Sequence, residues 1–146
     1  MILAYTLVAY FTNASCTLAS LLKPHPISKK ILGTGKTIEG ILLGLNAGLL
    51  IGLLLKLDFR LTFITTVASL SGDLIGSFIK RRLKIPQGNE VPLMDQLGFL
   101  VTTYLALSYH ITINFYHALM ILSATYFIHK AANKLAYALK LKKVPW

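Results

Sequence analysis

The chain has 146 residues, 55% hydrophobic and 14% charged, with a formal net charge of +10 and a mean hydropathy of +0.64. That balance excludes an ordinary soluble domain of this size and points to a bilayer. The basic excess is explained by the bias of membrane proteins toward positive inner loops and by anionic head groups; with no recognition helix or aromatic platform in view, no nucleic-acid partner is expected.

A hydrocarbon core about 30 Å thick takes roughly 20 helical residues to cross. Residues 1–22 carry no charged side chain and suffice for one crossing, ended by Lys23, Pro24 and Pro26. No basic residue precedes this run and no small-residue cleavage site follows it, so a signal peptide is a weak reading. Cys16 is the only cysteine; it sits in a poor lipoprotein context and is expected to be a buried structural thiol. Residues 40–55 form a second uncharged run, and residues 61–79 a third that is interrupted only by Asp73. From 97 to 128 no Asp, Glu, Lys or Arg occurs. As one helix that stretch would extend about 48 Å, so it must turn back near residues 110–114, giving a fourth helix and a fifth. The fifth continues past His129 through Lys130, Lys134, Lys140, Lys142 and Lys143.

Thirteen of the fifteen basic residues fall in the first connection (Lys23, Lys29, Lys30, Lys36), the third (Lys80, Arg81, Arg82, Lys84) and the tail, leaving Lys56 and Arg60 for the other face. The positive-inside rule then puts the N-terminus outside and the tail in the cytoplasm. A four-helix layout would strand a basic segment on the wrong side. The expected fold is all-α: a polytopic membrane protein of five transmembrane helices, one domain over 1–146, with its active-site loops cytoplasmic.

Four of the five carboxylates, Glu39, Asp73, Glu90 and Asp95, lie in or beside two basic segments, a mixture that suggests divalent-metal and phosphate chemistry. If the third span stays helical to its inner end, Asp73, Ser77, Lys80 and Arg81 share one face, with Asp73 roughly 10 Å deeper than Lys80. A carboxylate at that depth is costly without a metal or cation partner. The alternative to a functional Asp73 is a structural pair with a neighbouring cation. Residues 83–96 hold Pro86, Gly88, Asn89 and Pro92, which favour turns, and then present Asp95 where it could face Asp73 and share Mg²⁺, or merely cap the fourth helix.

The segment GTGKT at 33–37 is no P-loop, because the position five residues before its Gly-Lys pair holds Lys30 and no strand is expected before it. Its chemistry still suits an anion: Gly33 and Gly35 admit close approach, Thr37 donates, Lys36 supplies charge, and a helix N-terminus follows. Glu39 has three open roles: binding metal, pairing with Lys36, or favouring the positive end of the second helix. Gly40, Gly44, Gly48 and Gly52, with Gly72 and Gly76, repeat every four residues, a spacing for close helix packing. His110, His117 and His129 form no zinc-type motif, and Asn13 and Asn46 are expected as interhelical hydrogen-bond partners.

With LGTGKTIEG at 32–40, GDLIGSFIKRR at 72–82 and PLMDQLGF at 92–99, in that order, the chain resembles the CDP-archaeol synthase family, short archaeal relatives of phosphatidate cytidylyltransferase. Two positions depart from the expected pattern: Thr34 stands where an acidic residue is usual, and Gly98 where a second carboxylate commonly follows Asp95 by three residues. The resemblance implies transfer of the cytidylyl group of CTP to a membrane lipid phosphate, 2,3-bis-O-geranylgeranylglycerol 1-phosphate, giving CDP-archaeol and pyrophosphate with Mg²⁺. In that reading Asp73 and Asp95 hold Mg²⁺. Lys36, Lys80, Arg81 and Arg82 hold the triphosphate, while Ser77 and Thr37 bond phosphate oxygens. A phosphomonoester whose second pKa is about 6 is already largely dianionic at neutral pH and can attack without a protein base. A small transporter or ion channel using Asp73 is the competing class, but it would need polar groups at several depths.

Overall fold

The computed structural model describes residues 1–22, 24–87 and 89–140; Lys23, Gly88, Lys142 and Lys143 lie outside the described residues. Its helices are α1 (Ile2–Cys16), α2 (Ile38–Leu54), α3 (Phe59–Arg82), α4 (Met94–Ser108) and α5 (Phe115–Ala138). Five helices match the sequence expectation, and the turn between α4 and α5 falls at residues 110–114.

Two local features differ from it. The first helix tightens at Thr17–Leu21 into a 3₁₀ turn. There the Thr17 and Ser20 hydroxyls donate to the carbonyls of Ala14 and Thr17 at 2.7 and 2.8 Å, and Pro24 cannot continue a helix. The all-α expectation also needs correction: Pro26–Ser28 (β1) pairs antiparallel with Gly33–Thr37 (β2). Gly33, with φ +85°, supplies the left-handed backbone that returns the chain into β2. This hairpin runs directly into α2, where the Thr37 hydroxyl accepts from the Gly40 N–H at 3.0 Å as an N-cap. Asp58 and Asn114 cap α3 and α5 in the same way, accepting from Leu61 and His117.

The molecule is apolar outside and hydroxyl-rich within. Leu3, Phe11, Leu53, Phe59, Leu105 and Phe127 are exposed, whereas Thr6, Thr12, Thr65, Thr66, Ser69 and Thr103 are fully buried. Several of these hydroxyls donate to carbonyls one turn back, Thr12 to Val8 at 2.8 Å and Thr103 to Phe99 at 2.8 Å, so they can pack at helix interfaces without a stranded donor. This arrangement suits a lipid solvent. Among the described residues, Ile2–Leu21 and Phe59–Arg82 are long and apolar enough to cross a membrane; Ile38–Leu54 is apolar but shorter.

The glycine stripes act as read from their spacing except at Gly76, where the nearest atom to an added Cβ would be Met94 Cγ at 3.8 Å. Gly40, Gly44, Gly48 and Gly52 are all buried along α2. A Cβ at Gly44 would lie 2.7 Å from Cys16 Sγ and 2.9 Å from both the Thr12 carbonyl oxygen and Leu70, so α1 and α3 close on this stripe within one chain. Gly72 does the same for α3 against α4, facing the Gly98 carbonyl oxygen. Asn46 differs from its expected interhelical role, donating to Leu42 in its own helix at 2.7 Å.

Candidate active site

A cavity of about 720 Å³ opens where the ends of α1 and α3 and the later part of α5 meet the starts of α2 and α4. Consecutive helices therefore alternate in direction around it. Its volume is in the range of small-molecule sites. Asp73, Ser77, Lys80 and Arg81 all line it, because α3 continues unbroken through Arg82 and keeps them on one face.

The two aspartates reach this cavity from different helices, each with a lysine. Asp73 of α3 pairs with Lys36 of β2. Asp95, in the first turn of α4, accepts two bonds from Lys80 at 3.0 and 2.9 Å and another from the Val91 N–H at 2.9 Å. Lys80 also donates to the Asn89 carbonyl at 3.0 Å, which ties the α3–α4 connection to the site. Leu93 holds a left-handed φ of 67° as the residue before α4, a strained turn of the kind that collects at functional sites. Asp95 thus faces the cavity from the first turn of α4; it is not the helix cap its position also allowed, since α4 has no side-chain cap and Asp95 accepts instead from the preceding Val91. The structural pair weighed for Asp73 is present.

Lys36, Lys80 and Arg81 outnumber Asp73 and Asp95 along the described lining, so the cavity favours a polyanion. Arg81 Nε is buried without a hydrogen-bond partner among the described residues. An unpaired buried donor is costly, and a phosphate oxygen would satisfy it. Gly35 and Thr37 line the same cavity, with Thr37 engaged as the α2 cap.

Other expected site residues stand aside. Glu39 does not pair with Lys36; it accepts from the His25 N–H at 2.8 Å and bonds the His25 ring. Those bonds, the ring's first, hold its carboxyl below the usual carboxylate range, in the turn before the uncharged run 40–55. Arg82 lies 5.4 Å over the Phe78 ring, outside the cavity lining, and Gly33 serves the hairpin turn. Cys16, expected to be buried, is half-buried and lines the cavity, donating to the Thr12 carbonyl at 3.3 Å.

The sequence reading missed Gln87. Its side chain donates to the Thr34 hydroxyl and accepts from the Thr34 N–H at 3.4 Å, bridging the α3–α4 connection to β2 across the cavity rim. It also missed the α5 wall, where His129 and Asn133 reach the lining. Only a tertiary approach reveals either; a histidine and an asparagine four residues apart were the sole linear signal.

For a metal, the available donors are the Asp73 and Asp95 carboxylates with the Ser77 hydroxyl, all hard oxygens. Among the described residues no group of three or more His, Cys, Asp or Glu side chains is placed to cage an ion. Magnesium is suited by such a set, since it commonly takes one or two carboxylates and completes its shell with water and substrate phosphates.

Residues 55–146 match the CarS-like family, described as CDP-archaeol synthase. The chain is 38% identical to the CDP-archaeol synthase of Pyrobaculum aerophilum over 94% of this chain and 92% of that protein. To the CDP-archaeol synthase of Sulfolobus acidocaldarius it is 31% identical, over 81% and 76% respectively. A solved structure, described as an intramembrane enzyme for archaeal membrane lipids biosynthesis, matches with a TM-score of 0.75 at 31% identity, over 90% of this chain and 92% of that one.

Proposed function

This chain belongs to the CDP-archaeol synthase family, and from that premise we propose how its cavity forms CDP-archaeol from CTP and an isoprenoid ether-lipid phosphate. It is a membrane-bound enzyme of lipid synthesis. The observation that carries the mechanism is the pairing of Lys36 with Asp73 and Lys80 with Asp95 around one cavity, beside a buried Arg81 nitrogen that lacks a partner among the described residues.

Lys36, Lys80 and Arg81 bind the triphosphate of CTP. Each lysine already holds a carboxylate, so an arriving phosphate offers it a second anionic partner and leaves Asp73 and Asp95 free to face a cation. Mg²⁺ held by these carboxylates would neutralise charge on the phosphate oxygens as the phosphoryl bonds change. Ser77 and Thr37 offer hydroxyls to phosphate oxygens, and Gln87 fixes the hairpin so that Lys36 stays opposite Asp73. The lipid phosphate, largely dianionic at neutral pH, attacks the α-phosphorus; its oxygen bonds there as the bond to the bridging oxygen breaks and pyrophosphate leaves. No protein base is required, so alignment and charge remain the chain's tasks.

Residues 1–146 act as one membrane-embedded domain, a reading supported by a cavity lined from all five helices. Five crossings, with the N-terminus outside and the C-terminus in the cytoplasm, are supported by the alternating helices and by the basic segments gathered at the cavity end. Its partners are CTP, the lipid phosphate and bilayer lipids, with no nucleic acid. The transporter alternative has no support, because the charged groups lie at the helix ends, most of them at the cavity end, instead of marking a path.

The test incubates purified protein with CTP, Mg²⁺ and geranylgeranylated glycerol phosphate and measures pyrophosphate with CDP-lipid. Equal amounts of both, abolished by chelator, are expected. Absence of both products from an active-sized, folded preparation would overturn the proposal, and undiminished synthesis in chelator would remove the metal from it.

A further inference from the structure

One stripe of α1 carries a polar group that the fold leaves unused. Tyr10, Asn13, Ala14 and Thr17 recur at helical spacing, and all four line the cavity. Tyr10 bonds Thr125 of α5, and the Thr17 hydroxyl donates to the Ala14 carbonyl at 2.7 Å. An asparagine in so apolar a helix is expected to bond a neighbouring helix. Among the described residues the half-buried Asn13 amide bonds no other group. Its two N–H donors and its carbonyl are therefore open to whatever fills the cavity. An amide held unpaired on a membrane helix is costly, and such a group points to a polar ligand.

The surroundings of Asn13 say which ligand. α1 and α5 run in the same direction, and beyond the Tyr10–Thr125 bond the seam between them opens. Ala14 and Thr17 on one side, with Ile128 and Ala132 on the other, line the cavity and are exposed at the same time. The cavity meets the apolar outer surface there, and the two alanines leave room at its edge. α1 brings no charged side chain to this wall. The lysines and carboxylates come from β2, α3 and α4, so a triphosphate is drawn to the other side. A ligand at the seam keeps its head beside Asn13 and its tails beside lipid.

We propose that the lipid phosphomonoester enters through the α1–α5 seam and that Asn13 is a binding residue for its headgroup, donating from Nδ2 to a phosphate oxygen. This assignment rests on the cytidylyl-transfer reading above. It divides the cavity into a nucleotide wall (β2, α3, α4) and a lipid-headgroup wall on α1.

The test uses the full chain in detergent–lipid micelles, varying lipid phosphate at saturating CTP and CTP at saturating lipid phosphate. Asn13→Leu, which keeps the bulk and removes the amide, is expected to raise KM for the lipid phosphate about tenfold, the effect of one hydrogen bond to a charged group, with KM for CTP within about twofold. Its melting temperature in detergent should not fall, because no bond within the chain is lost. Asn13→Gln, which keeps an amide donor, should recover part of the loss, and Ala132→Trp, which narrows the seam, should raise the same constant. Asn46→Leu is the control: its amide bonds Leu42 in its own helix, so both constants should stay at wild-type values. An unchanged lipid KM in Asn13→Leu or Ala132→Trp, a rise in KM for CTP, or an equal rise in the control overturns the proposal. If Asn13→Leu does not elute as a folded species, Asn13→Ala decides: a raised lipid KM alone supports the assignment and wild-type kinetics refute it. Inert wild-type protein would instead refute the underlying reading of the reaction.

Discussion

Replacing Gly72 by alanine adds one methyl group next to Asp73, at the tightest approach between the helices that carry the two aspartates. That carbon would lie 2.6 Å from the Gly98 carbonyl oxygen and 2.9 Å from Phe99 Cα, where ordinary contact begins at 3.4 Å. Thr102 Oγ1, nearer still, belongs to a side chain that can turn aside, but these two obstacles are backbone that no rotamer change relieves, so α4 must withdraw by about 0.8 Å. Asp95 lies one turn before Gly98, so the same movement separates it from Asp73. Overpacking of this kind costs about 1–3 kcal/mol, and a misplacement near 1 Å can cost roughly 100-fold in rate. We therefore expect turnover to fall about 30- to 100-fold and thermal unfolding in detergent to shift downward, read by pyrophosphate release and a melting scan. Gly76→Ala is the control: the same helix face and spacing, but a nearest atom, Met94 Cγ, 3.8 Å away. Its turnover should stay within about twofold. Wild-type turnover in Gly72→Ala, or equal losses in the two variants, would refute the claim that α3–α4 contact sets the distance between the carboxylates.

Lys36→Met should raise KM for CTP about tenfold or more in initial-rate assays while the protein still elutes as a folded species, because Asp73 keeps 29% of its side chain exposed and can be solvated. Arg81→Ala should have a comparable effect on CTP, whereas Arg82→Ala should stay within about threefold, since its guanidinium covers Phe78. Gln87→Ala removes the tie to Thr34 and should raise KM for CTP a few-fold with faster proteolysis in the hairpin, while exposure of the pair limits the stability loss to about 1 kcal/mol or less.

Spans and site were legible in different degrees. Uncharged runs bounded by lysine and arginine located the five helices, because charge is costly in hydrocarbon whatever the tertiary packing. The helical period alone put Asp73, Ser77, Lys80 and Arg81 on one face, and the glycine spacing announced the close helix contacts at every position of the stripes but Gly76. Legibility failed where distant segments meet. Gln87 and Thr34 are 53 residues apart in sequence, and nothing local to either signals the bond. The β1–β2 hairpin was hidden because its strands are short and glycine-rich, without alternating hydrophobicity. Glu39 had a nearer cation in Lys36 yet bonds His25, since β2 runs into α2 and carries the lysine toward Asp73 instead. The hydroxyl-lined interior was unread because serine and threonine carry no charge and no marked hydropathy to place them inside or out, although Thr6, Thr12, Thr66 and Ser69 are buried.

The most direct trial of the paired-carboxylate site is the turnover of Asp73→Asn and Asp95→Asn, each purified as a folded species and supplied with CTP, Mg²⁺ and lipid phosphate. Each substitution keeps the shape and removes the charge, so loss of about 100- to 1,000-fold or more is expected from either one. Near-normal pyrophosphate release by both variants would contradict the site assignment outright.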